Sequence, residues 1–204
     1  RPAVPSPRPL RYRSRAKFHL DRASGRLAFF RRRSHEPVRL RECHLLDADL
    51  DALREALGPA LARARLFPRE VALDWSSHLA RGAALLRLPA AGPGERRRAE
   101  EVLASLPSLA GLLLEVEGEG RGRAPPLALG EPVLLQERVP GQAGRGLVRS
   151  RPDVFAQANR PANARLVEVV PGAFSLGGAL GGGQLDEAAV AQLAALPGVE
   201  SAWR

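Results

Sequence analysis

The chain of 204 residues contains a single cysteine, Cys43. An internal disulfide is therefore excluded, and one thiolate cannot hold a zinc ion or an iron–sulfur cluster by itself. The four histidines, at positions 19, 35, 44 and 78, show no metal-ligand spacing. We expect no metal site and no iron–sulfur cluster. Cys43 is expected to be a small buried apolar residue in a reducing compartment.

Long apolar runs are also missing. No stretch approaches the ~20 residues that a bilayer-spanning helix needs, and the N-terminal segment 1–10 has no apolar signal core. The sequence thus predicts a cytoplasmic protein without a membrane partner, which we expect to be a monomer. Hydrophobic residues at 45% and charged residues at 26% are close to globular averages, so most of the chain should fold.

Common catalytic signatures are absent as well. No serine-hydrolase elbow occurs, and the glycine run at 177–183 lacks the lysine and the serine or threonine of a phosphate-binding loop. No clear strand runs directly into that glycine run, as a dinucleotide fingerprint would require. We interpret it as a linker and assign no catalytic residue.

The charge is concentrated at one end of the chain. Residues 1–41 hold 13 basic and 2 acidic residues, a local balance of +11 against +9 for the whole chain. All of the cations except Lys17 are arginines. A genome-wide arginine bias would spread evenly, so this excess indicates one basic surface.

A strand with a basic face is predicted inside this segment. From Leu10 to Leu20 every second residue is apolar or small, and the residues between them are Arg11, Arg13, Arg15, Lys17 and His19. This period of two is typical of a half-buried strand. Residues 21–25 supply a turn, and residues 26–33 are predicted to return as the second strand of a hairpin.

This basic face is a candidate contact surface for RNA. Five cationic or potentially cationic groups in one row, about 6.6 Å apart, repel one another within the screening length. An anionic partner would relieve that repulsion. Arg31, Arg32 and Arg33 would extend the patch, and Tyr12, Phe18, Phe29 and Phe30 offer stacking surface, a combination common in RNA-binding sheets. The alternative is a solvated strand face whose arginines serve solubility.

The rest of the chain mixes helices and strands. A helix capped by Asp47 or Asp49 should present Leu50, Leu53, Leu57 and Leu61, with a break or kink at Gly58-Pro59. The remaining elements are predicted as follows: strands at 70–75, 83–88 and 112–116, a helix at 95–106, a loop at 117–131, a hairpin of 132–139 and 146–149 turning at GQAG, and helices at 159–170 and 185–196. This order predicts an α+β fold with a mostly antiparallel sheet and helices on one face.

Three strings together resemble a known family. YRSRAKFHLD, then GRLAFFRRRSHEPVRLRECHLL, and later FAQANRPANARLVE resemble the central domain of the bacterial SAM-dependent RNA (uracil-5-)-methyltransferases. The resemblance extends in the same order from about residue 5 to residue 170. It implies a central RNA-binding domain at 10–150 and, at 151–204, the start or remnant of a Rossmann-like SAM-dependent methyltransferase domain. The four prolines within residues 1–9 indicate a linker before them.

The resemblance also implies roles for residues. The row of Arg11, Arg13 and Arg15 would face an rRNA or tRNA substrate, and Gln157 of the F-x-Q-x-N motif would approach S-adenosyl-L-methionine. In that family a cysteine thiolate adds to C6 of a flipped-out uracil, so that C5 accepts the methyl group. The family's Ser-Cys-Asn-Pro motif, its Gly-rich SAM loop and its glutamate base have no counterpart here. We therefore expect this chain alone to be inactive, and the alternative is a stand-alone RNA-binding module.

Overall fold

The main sheet of the protein has seven strands. In the computed structural model, which describes residues 5–90, 92–116, 125–137 and 147–169, they lie in the order β3-β2-β1-β4-β5-β6-β7. Every neighbouring pair is antiparallel except β5 and β6, which are parallel. The strands are β1 (Arg15–Asp21), β2 (Arg26–Phe30), β3 (Pro37–Val38), β4 (Glu70–Ser76), β5 (Arg81–Leu88), β6 (Leu109–Val116) and β7 (Leu127–Gly130).

Two helices cover one face of this sheet, and a small hairpin contacts β4 and β5. Helix α1 (Ala48–Arg63) begins at Asp47, whose side chain accepts a hydrogen bond from the Asp49 N–H. Helix α2 (Pro93–Ser105) connects the two parallel strands, as a crossover must. Strands β8 (Leu134–Glu137) and β9 (Leu147–Ser150) pair with each other, and helix α3 (Arg160–Val169) follows. The predicted α+β fold with a mostly antiparallel sheet is confirmed.

The core lies between the sheet and the two helices α1 and α2. Alternate residues of the strands point into it, because successive side chains of a strand face opposite sides. The leucines predicted for one face of α1 are all in this core. Its largest fully buried side chains include Phe18, Leu50, Leu57, Leu73 and Leu86.

The predicted break of α1 at Gly58-Pro59 is wrong. The helix runs through Pro59 to Arg63, and burial of Leu57 and Leu61 in the core offsets the hydrogen bond that a proline removes. The alternative, a kink at this position, stays a prediction. Gly58 has a packing role in this arrangement. A Cβ there would lie 2.9 Å from the Gly25 carbonyl oxygen, so the missing side chain lets the β1–β2 hairpin approach.

The boundaries of several other elements also differ from prediction. Strand β1 starts at Arg15 and not at Leu10, because residues 11–14 pair irregularly with the segment before α1 and with Ala158. Strand β2 ends at Phe30. The short strand β3 and strand β7, which lies in the predicted loop, were not expected. The GQAG turn and the predicted helix at 185–196 lie outside the described residues.

The other predicted elements are confirmed. The strands at 70–75, 83–88 and 112–116, the helix at 95–106, the two arms of the hairpin and the helix from residue 159 all appear, with ends shifted by up to a few residues. Among the described helices, none combines the length and the apolar character that crossing a membrane requires.

Candidate functional site

The sheet face opposite α1 and α2 carries a row of charges that alternate in sign. Lys17 Nζ lies 3.2 Å from Glu70 Oε1, Arg87 lies 2.8 Å from the same oxygen, and the Arg87 Nε is 2.6 Å from Glu115 Oε2. These residues come from β1, β4, β5 and β6 in turn. The cations of β1 therefore face carboxylates of the next strand. These carboxylates reduce the repulsion between the cations, which was predicted to favour an RNA partner.

Arg15 lies on the same face of β1 as Lys17, and its side chain is mostly buried. Its Nη2 donates to Asp74 Oδ2 at 2.6 Å and to the Arg151 carbonyl at 2.7 Å, and its Nη1 donates to the Val154 carbonyl. Ser150 Oγ also donates to Asp74 Oδ2, at 2.7 Å. Arg15 therefore ties the residues after β9 to the main sheet.

The F-x-Q-x-N motif begins directly after these contacts. Asn159 caps α3, accepting the Ala162 N–H at 2.9 Å through its side-chain oxygen, and the Ala158 carbonyl accepts the Ser14 N–H at 3.3 Å. Between the fixed points at Val154 and Ala158, Phe155 is 91% exposed and Gln157 is also exposed. The segment thus presents an aromatic ring and a carboxamide to solvent from an anchored backbone.

Arg11 and Arg13 lie before β1 and do not share the strand face of Arg15. The prediction that five cations form one row on one strand is therefore wrong. Arg11 has φ +54° and pairs with Glu42, and its guanidinium lies 3.6 Å from Asp51 Oδ2. The Arg13 guanidinium lies 6.0 Å from the centre of the Tyr12 ring. Both residues precede β1, because their backbone groups bond to the segment before α1.

The part of this face that the β1–β2 hairpin forms is basic and aromatic. Lys17 is 61% exposed, and the rings of His19 and Phe30 stack with centres 3.8 Å apart. The exposed residues Arg31, Arg32 and Arg33 follow Phe30 directly. Of the four aromatic residues predicted to offer stacking surface, Phe18 is fully buried and Phe29 packs against it, whereas Phe30 stays accessible.

Cys43 is buried in the core, as predicted. Its N–H donates to Asp51 Oδ2 at 3.0 Å, and its carbonyl accepts from Arg11 at 3.2 Å. Within the part of the chain that the structure describes, no three His, Cys, Asp or Glu side chains are grouped so as to hold a metal ion.

The order of the strands, the covering helices and the anchored segment after β9 can be compared with solved proteins. A transfer-RNA methyltransferase shares this fold. It is the tRNA (uracil-54, C5)-methyltransferase of Pyrococcus abyssi, solved in complex with S-adenosyl-L-homocysteine. The superposition has a TM-score of 0.59 at 15% sequence identity and covers 81% of this chain and 42% of that enzyme.

The chain therefore spans less than half of the length of that enzyme. By sequence, no family model matches the chain, and a search of curated proteins finds no match. At 15% identity this likeness shows the fold alone.

Sequence reasoning selected Gln157 but missed its neighbour Phe155. The motif itself could have indicated Phe155, because this residue is the first of F-x-Q-x-N. The sequence does not show whether an aromatic ring outside a predicted helix or strand is buried or exposed. The three-dimensional structure is needed for that. The roles of Arg15 and Asp74 were likewise invisible, because their contact joins residues 59 positions apart.

Proposed function

We propose that this chain is the RNA-binding part of a SAM-dependent RNA (uracil-5-)-methyltransferase. The observation that carries the proposal is the fold shared with a tRNA (uracil-54, C5)-methyltransferase over 81% of this chain. The F-x-Q-x-N motif supports it, because the structure anchors that motif on both sides and exposes its Phe155 and Gln157. The substrate in this proposal is a uracil of tRNA or rRNA.

RNA contacts are proposed for the exposed cations of the β1–β2 hairpin and of the turn that follows it. Lys17, Arg31, Arg32 and Arg33 have exposed side chains, and phosphates attract such cations without regard to sequence. Lys17 and Arg31 are paired with carboxylates that RNA phosphates would have to replace. For Arg11, Arg13 and Arg15, contact with RNA remains a prediction, and two of these already hold buried or half-buried partners within the protein.

Gln157 is the residue that we assign to the cofactor. Its exposed carboxamide can both donate and accept hydrogen bonds, which suits the polar groups of S-adenosyl-L-methionine. When bound, that cofactor supplies the methyl group. Gln157 would help to orient the cofactor.

No methyl transfer is expected from this chain alone. Its single cysteine, Cys43, is buried in the core, which makes it an unsuitable nucleophile for a uracil ring. The nucleophile and the Gly-rich SAM loop must come from elsewhere for the reaction to proceed. The second candidate, a stand-alone RNA-binding module, is favoured by the exposed Arg32 and Arg33, since that surface needs no cofactor.

Binding measurements with two variants test the proposal. A tRNA transcript and S-adenosyl-L-homocysteine are titrated separately into the chain, into Gln157→Ala, and into Arg32→Gln combined with Arg33→Asn. We expect Gln157→Ala to lose the nucleoside ligand while keeping tRNA affinity, and the double variant to show the reverse. A chain that binds neither ligand would overturn the proposal. Binding of tRNA without any saturable binding of the nucleoside would remove the assignment of Gln157 to the cofactor and would fit both the RNA-binding part of a methyltransferase and the stand-alone module.

A further inference from the structure

Three rings form a continuous aromatic cluster at the β1–β2 hairpin, on the face away from α1 and α2. The His19 and Phe30 rings are stacked at 3.8 Å with an interplanar angle of 14°, and His35 meets Phe30 edge-on at 5.3 Å. Phe30 lies outside the main core, and 37% of its surface is exposed. We call His19, Phe30 and His35 the ring cluster.

The ring cluster is held in place by hydrogen bonds. His19 Nδ1 donates to the Arg69 carbonyl at 2.8 Å, which fixes its ring on the sheet. The turn that carries His35 is closed by the Arg31 N–H to the Glu36 carbonyl at 2.9 Å and by the Glu36 N–H to Ser34 Oγ at 2.9 Å. Binding to this surface would therefore cost little ordering of the protein.

Three cations lie close to the ring cluster along the chain. Lys17 is two residues before His19 on the same face of β1, and Arg32 and Arg33 occupy the turn between Phe30 and His35. In the described part of the chain, neither Arg32 nor Arg33 makes an ion pair or a side-chain hydrogen bond. Arg33 holds φ at +58°, a conformation that is costly for a residue with a side chain. An exposed pair of unpartnered guanidinium groups beside accessible rings matches the chemistry of a nucleotide, with its phosphate and its flat base.

We propose that the ring cluster with Lys17, Arg32 and Arg33 is a contact site for unpaired nucleotides, separate from the segment at Gln157. The proposal rests on the proposed RNA-binding function and specifies the form of RNA. Stacking on a side chain requires a base whose face is free, and bases inside a duplex have both faces covered. The site should therefore favour loops and single strands over paired stems.

Strand β1 connects the ring cluster with the F-x-Q-x-N motif. Arg15, which anchors Val154 just before the F-x-Q-x-N motif, lies two residues before Lys17 and four before His19 on the same face of β1. One strand face thus leads from the anchored motif to the ring cluster. A single RNA loop could contact both, with the ring cluster binding nucleotides that flank the one at the motif.

Comparing two RNA forms tests this inference. Fluorescence anisotropy is measured with a labelled single-stranded 12-mer and with a blunt duplex of the same length, for the unaltered chain and for Phe30→Leu. Losing one base–aromatic stack should weaken single-strand binding by about 5- to 100-fold and leave duplex binding within about twofold. The combination Arg32→Gln with Arg33→Asn should lower the salt slope for the single strand by about 1.4, which is two phosphate contacts. Asparagine tolerates the left-handed backbone at position 33, so this variant should fold.

Two controls separate the outcomes. Leu79→Ala removes a similarly exposed apolar side chain at the β4–β5 turn, and Arg96→Gln with Arg97→Gln removes two exposed charges on α2. Both should bind the single strand like the unaltered chain. If Phe30→Leu also binds it unchanged while the unaltered chain still binds RNA, the ring cluster is not a nucleotide site, although the proposed function stands. If the unaltered chain binds neither RNA, the proposed function fails first.

Discussion

Arg15 on β1 and Asp74 on β4 form an ion pair that is almost withdrawn from water, with Nη2 2.6 Å from Oδ2 and the side chains 13% and 3% exposed. The same guanidinium donates to two carbonyls of residues 151–154, and the Ser150 hydroxyl is a second donor to the Asp74 carboxylate. The pair therefore joins the sheet to the segment that carries Gln157. Arg15 is a positioning residue in this arrangement.

Removing the Asp74 carboxylate should be strongly destabilising. In Asp74→Ala the Arg15 guanidinium would lose its charged partner in a buried position, which costs about 3 kcal/mol of unfolding free energy. Urea denaturation measures this loss, and hydrogen exchange should show faster exchange in residues 151–157. Lys17→Ala, which breaks an exposed ion pair on the same strand, should cost less than about 1 kcal/mol. Equal losses in the two variants would contradict the anchoring role of the Arg15–Asp74 pair.

Two glycine-to-alanine changes in helices should have opposite effects. In Gly58→Ala the new Cβ would meet backbone atoms of the β1–β2 hairpin at 2.9 to 3.0 Å, and neither side can move without disturbing the sheet. We expect a loss of about 2 kcal/mol despite the better helix propensity of alanine. Gly94 in α2 has nothing within 4 Å of such a Cβ, so Gly94→Ala should gain up to about 1 kcal/mol. Thermal and urea unfolding compare them, and stabilisation by both changes would refute the close approach at Gly58.

Asp21 should make stability depend on pH in the acid range. The Ser24 hydroxyl, foremost, and the Arg39 guanidinium hold the pKa of Asp21 below its ordinary value by hydrogen bonding to the carboxylate, against the opposing effect of burial. The folded state therefore binds this proton less readily than the unfolded chain. The stabilisation is present above the unfolded pKa of about 3.9 and is lost as the pH falls through the lower folded pKa.

Two variants at this turn measure that contribution. Ser24→Ala should raise the pKa of Asp21 towards its ordinary value and lower stability at pH 7. Asp21→Asn should remove the contribution and flatten the pH dependence of unfolding free energy below about pH 5. Urea titrations between pH 3 and pH 7 follow both variants. A profile for Asp21→Asn that keeps the full acid slope would show that other carboxylates are responsible.

The candidate site was only partly accessible from the sequence. The alternation of residues 15–20 placed Lys17 and His19 on one face, and the motif letters selected Gln157. The same alternation continued backwards through Arg11 and Arg13, where the chain instead bonds to the segment before α1. A period of two cannot show where a strand loses its neighbours, because pairing partners are distant in sequence.

The sequence by itself determined the order of most helices and strands and the leucine face of α1, since periodicity depends on local geometry alone. Tertiary structure decided the use of the charges. Contacts between distant strands paired Arg15 with Asp74 and Lys17 with Glu70, while the turn after Phe30 left Arg32 and Arg33 facing solvent. The physical reason is that an arginine carries the same charge everywhere, and only its neighbours in space determine whether that charge is neutralised inside the protein or is available to a partner.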